Sequence, residues 1–313
     1  MTVVTRWKSL ESKEKIFLAF LSYAVLSFVI SVIIFLLFRE MEKTEKRTRR
    51  FNTLYVNILH TMRDGDDFLI HGLTDDTFYK TGSSPQLIAH FHKLNAVLES
   101  IEEINNQGDE VRSLVMEAHL RSMASILVDY QDSFHEFTDL LRDKGYHGHG
   151  LDGAMAEISK RISAYSKGRS KNIDDLDRLS HSYRLTNDMD YVIAMQKSSL
   201  EAIEEIRQSD ASRSEQDLLF MLEEYLDVFE QIVQIDLLTG YKHGTGLEYR
   251  IRVAKSVVNE LATEINKVAL LRQTQVINQL RVVVVVVVTI SIILALFLSV
   301  GLRYLVLQDK VVN

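Results

Sequence analysis

Two runs without a single charged residue bracket this chain and limit what it can fold into. Ile16 to Phe38 is 23 residues long, and Val282 to Leu302 is 21. About 20 apolar residues cross the ~30 Å hydrocarbon core as a helix, so both runs predict membrane spans. The second opens with seven consecutive valines, Val282 to Val288. In water they would favour a strand; in lipid the backbone must satisfy its own hydrogen bonds, and helix wins. The first run is too long for a cleavable signal peptide, and Phe38-Arg39-Glu40-Met41 offers no small-residue cleavage site. It reads as an uncleaved anchor.

The expected layout is a tail over 1–15, a span over 16–38, a helical domain over 39–281, a second span over 282–302 and a tail over 303–313. Positive charge does not set the orientation. Arg6, Lys8, Lys13 and Lys15 precede the first span, while Arg39, Lys43, Lys46, Arg47, Arg49 and Arg50 follow it. Long domains translocate largely regardless of charge, which favours both tails in the cytoplasm and the 243-residue domain outside. Within residues 39–281, 30 Lys and Arg stand against 40 Asp and Glu, a net of −10. That balance excludes nucleic acid as a partner, since phosphate binding needs a basic surface. The lack of cysteine removes disulfide scaffolds, zinc ribbons and thiolate catalysis.

A single proline and helical periodicity point to an all-α domain. Val111, Leu114, Ala118, Ile126, Tyr130, Phe134, Phe137 and Leu141 form one stripe. Leu247, Ile251, Ala254, Val258, Leu261, Ile265 and Val268 alternate spacings of four and three, a coiled-coil-like seam that packs within one protomer or across two. Ser84 before Pro85 reads as an N-cap followed by proline at the first helical position. Gly108-Asp109 reads as one helix end and the next cap. Helices are expected near 39–72, 84–106, 109–143, 152–208, 212–239 and 246–302. The fourth would be roughly 80 Å long, too long for one ordinary bundle to cover. Two bundles stacked end to end and sharing long helices follow, unless the polar stretch 166–172 breaks that helix.

An internal repeat supports the stacking. Tyr130-x-Asp132-x-Phe134 precedes Gly145-Tyr146-His147-Gly148-His149-Gly150-Leu151; Tyr225-x-Asp227-x-Phe229 precedes Gly240-Tyr241-Lys242-His243-Gly244-Thr245-Gly246-Leu247. A second echo pairs Met62-Arg63-Asp64 with Tyr183-Arg184-Leu185, each followed by further acidic residues. Duplication is the simplest account.

Two spans around a helical domain, the Arg63-x-x-x-Asp67-Phe68-Leu69 run and a Gly-x-Gly-Leu turn after a helix resemble the helical bimodular (HBM) sensor domain of bacterial chemoreceptors and sensor histidine kinases. The resemblance covers residues 39–281. It implies two stacked bundles, a homodimer, binding of a small organic acid, and signalling by small movements of one span against the other. Members of that family continue into a basic, proline-containing linker, whereas Arg303 to Lys310 holds no proline. The expectation is either the sensory portion of a longer protein or a subunit that signals through a partner.

A carboxylate held inside a helical bundle needs fixed cations. The repeat-related Arg63 and Arg184 are the first candidates, because a guanidinium clamps a carboxylate bidentately. The competing reading is intrahelical pairing, Arg63 with Asp66 or Asp67 and Arg184 with Asp188. Arg49, Arg50 and Asn259 are candidates for a membrane-proximal pocket, against a solvated basic collar for the two arginines. His147, His149 and His243 lie in turns without a third ligand at metal spacing, and none of the ten histidines has Glu three residues before it, which removes a di-iron site. Ser180-His181 superficially resembles a phosphoacceptor box, yet no ATP-binding motif accompanies it. No Ser-His-Asp constellation, P-loop or dinucleotide fingerprint is present.

The sequence therefore reads as a non-catalytic, two-pass sensor domain in a bacterial inner membrane, with its main domain periplasmic or extracellular. It needs no cofactor or metal and takes a small molecule, most simply a carboxylate. The alternative is an interaction subunit whose helical ectodomain binds a signalling or periplasmic binding protein.

Overall fold

The computed structural model describes residues 12–106, 114–166, 171–208, 213–240 and 245–312. All regular structure among them is helical: α1 Ser12–His71, a 3-10 turn Gly72–Thr74, α2 Asp76–Thr81, α3 Pro85–Asn106, α4 Leu114–Lys144, α5 Gly150–Ser166, α6 Lys171–Thr186, α7 Met189–Gln208, α8 Arg213–Thr239 and α9 Gly246–Val312. The chain divides into two compact units, one of Met1–Thr53 with Glu264–Asn313 and one of Leu54–Thr263.

The first unit holds the two apolar runs. α1 and α9 are 60 and 67 residues long, and both contain a window apolar and long enough to cross a membrane, with none of it buried. Phe20, Phe28, Phe35 and Phe297 stand bare. An uninterrupted apolar surface of that length has no favourable place in water and suits hydrocarbon on all sides. Two helices are thus long and apolar enough to cross a membrane, consistent with a two-pass membrane protein.

In the second unit, α5, α6, α7 and α8 enclose one core, with Met155, Ile158, Tyr183, Met195, Leu222 and Phe229 buried at its centre. Elsewhere in the unit, the end of α1 supplies Leu54, Ile58, Met62 and Phe68, and α3 supplies Leu87, Leu94, Val97 and Ile101. Phe68 meets Phe78 edge-on and lies against Phe134 of α4. α9 contributes Leu247, Ile251, Val258 and Ala262, and its Lys255 pairs with Asp66 of α1.

Several expectations hold in detail. Ser84 caps α3, its Oγ accepting from the Leu87 N–H at 3.2 Å, with Pro85 as the first helical residue. The expected cap at Gly108-Asp109 lies outside the described residues. One expectation fails. The single helix over 152–208 is three helices of 17, 16 and 20 residues. Residues 167–170 lie outside the described residues; the break seen is Asn187-Asp188. Asn187 takes a left-handed φ of 55° and returns its N–H to the Tyr183 carbonyl. Asp188 then accepts from the Asp190 N–H at 3.1 Å, opening α7. Asparagine tolerates the left-handed region and aspartate caps helices, so the two residues end one helix and start another. The length argument for stacking goes with that helix.

Both predicted stripes are also rotated in part. On α4 the buried set is Leu120, Met123, Leu127, Tyr130, Phe134 and Phe137, while Ala118 is exposed. On α9, Ala262 is buried in place of Leu261, and Ala269 in place of Val268. A straight helix of 3.6 residues per turn drifts against a 3.5-residue seam, so the buried face moves over by one residue.

Candidate functional site

Two tight turns prepare the site. In the α4–α5 turn, Gly145 and Gly150 have φ of 86° and 59°, and a Cβ on either would lie 2.8 Å from the other's Cα. The α8–α9 turn repeats the arrangement with Gly240 and Gly246, φ 103° and 71°, and a Cβ on Gly246 would lie 2.4 Å from the Gly240 Cα. Only glycine permits both the left-handed backbone and the back-to-back approach. At these four glycines the repeat read from sequence is also a repeat in backbone geometry.

The first turn sets Lys144 at the end of α4 and Asp152 near the start of α5 beside the ends of α6 and α8. Lys144 Nζ lies 2.6 Å from Asp236 Oδ1, with the two side chains 24% and 8% exposed. Tyr183 donates its hydroxyl to Asp236 Oδ2 at 3.2 Å. Next to Tyr183, Arg184 Nη2 is 3.0 Å from Asp152 Oδ1. That contact is an ion pair without a hydrogen bond: Oδ1 is buried and accepts none. One Nη2 hydrogen points at the thioether of Met155, 3.2 Å away, a weak acceptor. Four helices thus meet at two cations, two carboxylates and a phenol.

Electrostatics follow from that geometry. Burial pushes the Asp152 carboxyl up, Arg184 and then Lys144 pull it down, and Asp236 adds to the rise. Burial, helped by Tyr146 and Asp152, raises the Tyr79 phenol to about 12. Tyr79 stacks on Tyr146 at 5.8 Å and lies parallel to His149 at 6.3 Å, so the histidines of this turn pack against aromatic rings. Among the described residues, no group of three or more His, Asp or Glu is placed to hold a metal. His243 lies outside them.

The predicted site residues each have their own surroundings. Arg63 is 75% exposed and its Nε lies 3.9 Å from Asp67, the intrahelical pairing that competes with a ligand role. Its acidic neighbours do more: Asp64 pairs with Lys93 of α3, and Asp66 with Lys255 of α9. Arg184 reaches Asp152, not Asp188. Arg49 pairs with Glu45 at 2.6 Å and Arg50 is exposed. Asn259 is half-buried, with a side-chain oxygen that is buried and accepts no hydrogen bond. Ser180 is buried and receives the Tyr225 hydroxyl at 2.9 Å, while His181 is exposed.

Lys144, Asp152 and Asp236 were missed by sequence reasoning. Only Asp236 left a trace, as a lone acid within the apolar face Ile232, Val233, Ile235 and Thr239.

Clefts open on the body among the described residues. One, of about 500 Å³, is bordered by Asn95, Leu98, Glu99, Glu102 and Val128. Another, of about 170 Å³, is bordered by Ser159, Ser163, Asp174, Asp177 and Tyr225. Neither lining includes a Lys or Arg, so an anion finds no countercharge there. Comparison with known proteins yields no family model, no curated relative and no solved structure that matches this chain.

Proposed function

We propose that the chain is the membrane-anchored sensor domain of a bacterial signal-transduction receptor, of chemoreceptor or sensor-kinase type, built on the helical bimodular plan. One bundle comprises the end of α1 with α3, α4 and the start of α9; the other is α5–α8, stacked on its end. The body faces the periplasm, both tails lie in the cytoplasm, and two copies associate. The ligand is a small organic acid, and Arg184 is the better placed of the two repeat-related arginines to receive it, because Arg63 is a solvated surface group. The chain senses and transmits; it does not catalyse.

The observation that carries the reading is that α1 and α9 each hold both an apolar, membrane-length run and buried core positions, Leu54 to Phe68 in α1 and Leu247 to Ala262 in α9. A ligand that favours one packing of the core acts on the same helices that enter lipid. Only differential affinity for two packings drives such a change.

The test is thermal unfolding of the full chain in lipid nanodiscs against a panel of small carboxylates, amino acids, amines and sugars. A ligand at ~100 times its Kd adds about 2.7 kcal/mol, a rise of several degrees for a body of this size. A carboxylate-specific shift removed by Arg184→Gln is the expected result. Silence across the panel would overturn small-molecule sensing and leave the partner-binding subunit as the better reading.

A further inference from the structure

Arg184 already holds a carboxylate, and holds it badly. Asp152 Oδ1 sits 3.0 Å from Nη2 but accepts no hydrogen bond, while an Nη2 hydrogen is aimed at Met155 Sδ. A guanidinium offers a planar fork that two parallel hydrogen bonds fill best. Asp152 does not fill it. Its backbone is fixed in the first turn of α5 behind the Gly145–Gly150 turn, where a Cβ on Gly153 would lie 2.4 Å from the Gly148 carbonyl. The geometry therefore points to Asp152 as an internal competitor: a tethered carboxylate that occupies the Arg184 anion site and is displaced by the carboxylate of a free organic acid. This rests on the organic-acid reading of Arg184 and specifies how that site is regulated.

Three features fit displacement rather than a permanent structural pair. Arg184 is 35% exposed and Asp152 19%, so the pair lies at the edge of the body, where an incoming acid reaches the guanidinium first. The neighbouring Lys144–Asp236 pair is shorter and further buried, with Tyr183 on its second oxygen; it is the fixed anchor, and the Arg184 pair the exchangeable one. Burial works against ionised Asp152 and Arg184 is the charge that most offsets it, so a carboxylate that gives up Arg184 must move outward, where hydration replaces the ion pair, and its place at the edge of the body leaves that way open. Arg184 ends α6 and Asp152 begins α5. Exchange of one carboxylate for the other uncouples those two helix ends, which is a packing change of the kind a sensor transmits.

The experiment measures succinate binding to the full chain in nanodiscs by equilibrium dialysis, for the unaltered chain, Asp152→Asn, Arg184→Lys and the double variant Asp152→Asn/Arg184→Gln. The double variant removes both charges, so no lone buried ion confounds its folding. A site blocked by its own tether binds with an affinity reduced by the fraction of time it is open. Asp152→Asn is expected to tighten succinate binding on the order of tenfold, Arg184→Lys to weaken it, and the double variant to lose it. Equal affinity in the unaltered chain and Asp152→Asn would overturn the competitor while leaving organic-acid sensing intact. Binding that survives in the double variant would overturn Arg184 as the site. Absence of binding in both the unaltered chain and Asp152→Asn, with acetate, malate and citrate as further probes, would overturn the organic-acid reading itself.

Discussion

Tyr130 and Phe134 close around a histidine, whereas their counterparts Tyr225 and Phe229 close around a serine. In the first case the buried His90 takes its place between the Thr61 carbonyl, 3.0 Å from Nδ1, and the Tyr130 hydroxyl, 3.3 Å from Nε2. That arrangement makes Nδ1 the donor and Nε2 the acceptor, since a carbonyl only accepts. Phe134 packs on His90, Phe91, Tyr130 and Phe68. In the second case Tyr225 donates to Ser180, and Phe229 packs edge-on against Tyr183. The same Tyr-x-Asp-x-Phe pattern thus serves one half with an aromatic, titratable centre and the other with a smaller, non-titrating one. The charge pairs differ as well. The first half ties its own helices with Asp64–Lys93, whose side chains are 24% and 48% exposed, whereas the more buried Lys144–Asp236 pair, at 24% and 8%, joins α4 of the first half to α8 of the second. The recurring Tyr-x-Asp-x-Phe pattern is thus surrounded by different polar chemistry at its two occurrences.

The largest effects should come from deleting the paired phenylalanines. Phe134→Ala and Phe229→Ala each remove a wholly buried ring and are expected to cost about 3–5 kcal/mol in thermal unfolding. The loss should be greater for Phe134, whose ring has four aromatic neighbours. A larger loss at Phe229 would show that the second half, not the first, carries the tighter core.

The charge pairs come next. Lys144→Met leaves the Asp236 carboxylate buried with only a phenol to stabilise it, at a cost of about 3 kcal/mol. Lys93→Met, at a largely solvated pair, should cost under about 1 kcal/mol. Near-equal costs in chemical denaturation would remove the contrast between the solvated pair within one half and the buried pair that joins the two.

A third difference shows in acid. Burial lowers the His90 pKa below its ordinary 6.5, so the folded chain resists protonation there while the unfolded chain does not. Between the lowered value and 6.5 the unfolded state holds more protons, and stability falls as pH drops through that window. Asp152 has the opposite sign. Its raised pKa gives a contribution that is complete below the unfolded carboxyl value and lost as pH rises through the folded one. Hydrogen exchange at mildly acidic pH should therefore quicken in α3 and α4 and not in α6 and α8, and His90→Gln should remove most of that difference.

These contrasts also mark what was legible in the sequence. The membrane runs, the Ser84-Pro85 start and the two glycine turns were legible because each is a local demand on a few adjacent residues: hydropathy, a missing N–H, a positive φ. The Asn187-Asp188 break was equally local, but a continuing run of polar and apolar residues on both sides masked it. The charge network was not legible. Lys144 and Asp236 are 92 residues apart, and nothing near either residue in the chain announces the other. Arg184 was singled out through its repeat position, yet its actual partner Asp152 lies on a different helix, and helical spacing alone favoured Asp188.

The smallest effect should be at Arg63, and it tests the comparison most sharply because Arg63 and Arg184 occupy matching places in the repeat. Arg63 makes one intrahelical contact at 3.9 Å from a side chain that is three-quarters exposed. Such pairs contribute a few tenths of a kcal/mol at most, screened by salt. Arg63→Ala is expected to change stability by less than about 0.5 kcal/mol and to leave succinate affinity unchanged, whereas Arg184→Lys weakens it. If Arg63→Ala abolished binding instead, the ligand would sit on the first half, against an open surface flanked by Asp64, Asp66 and Asp67. A binding energy large enough to overcome three neighbouring carboxylates would then require cations from a second copy of the chain, and the functional unit would be the dimer.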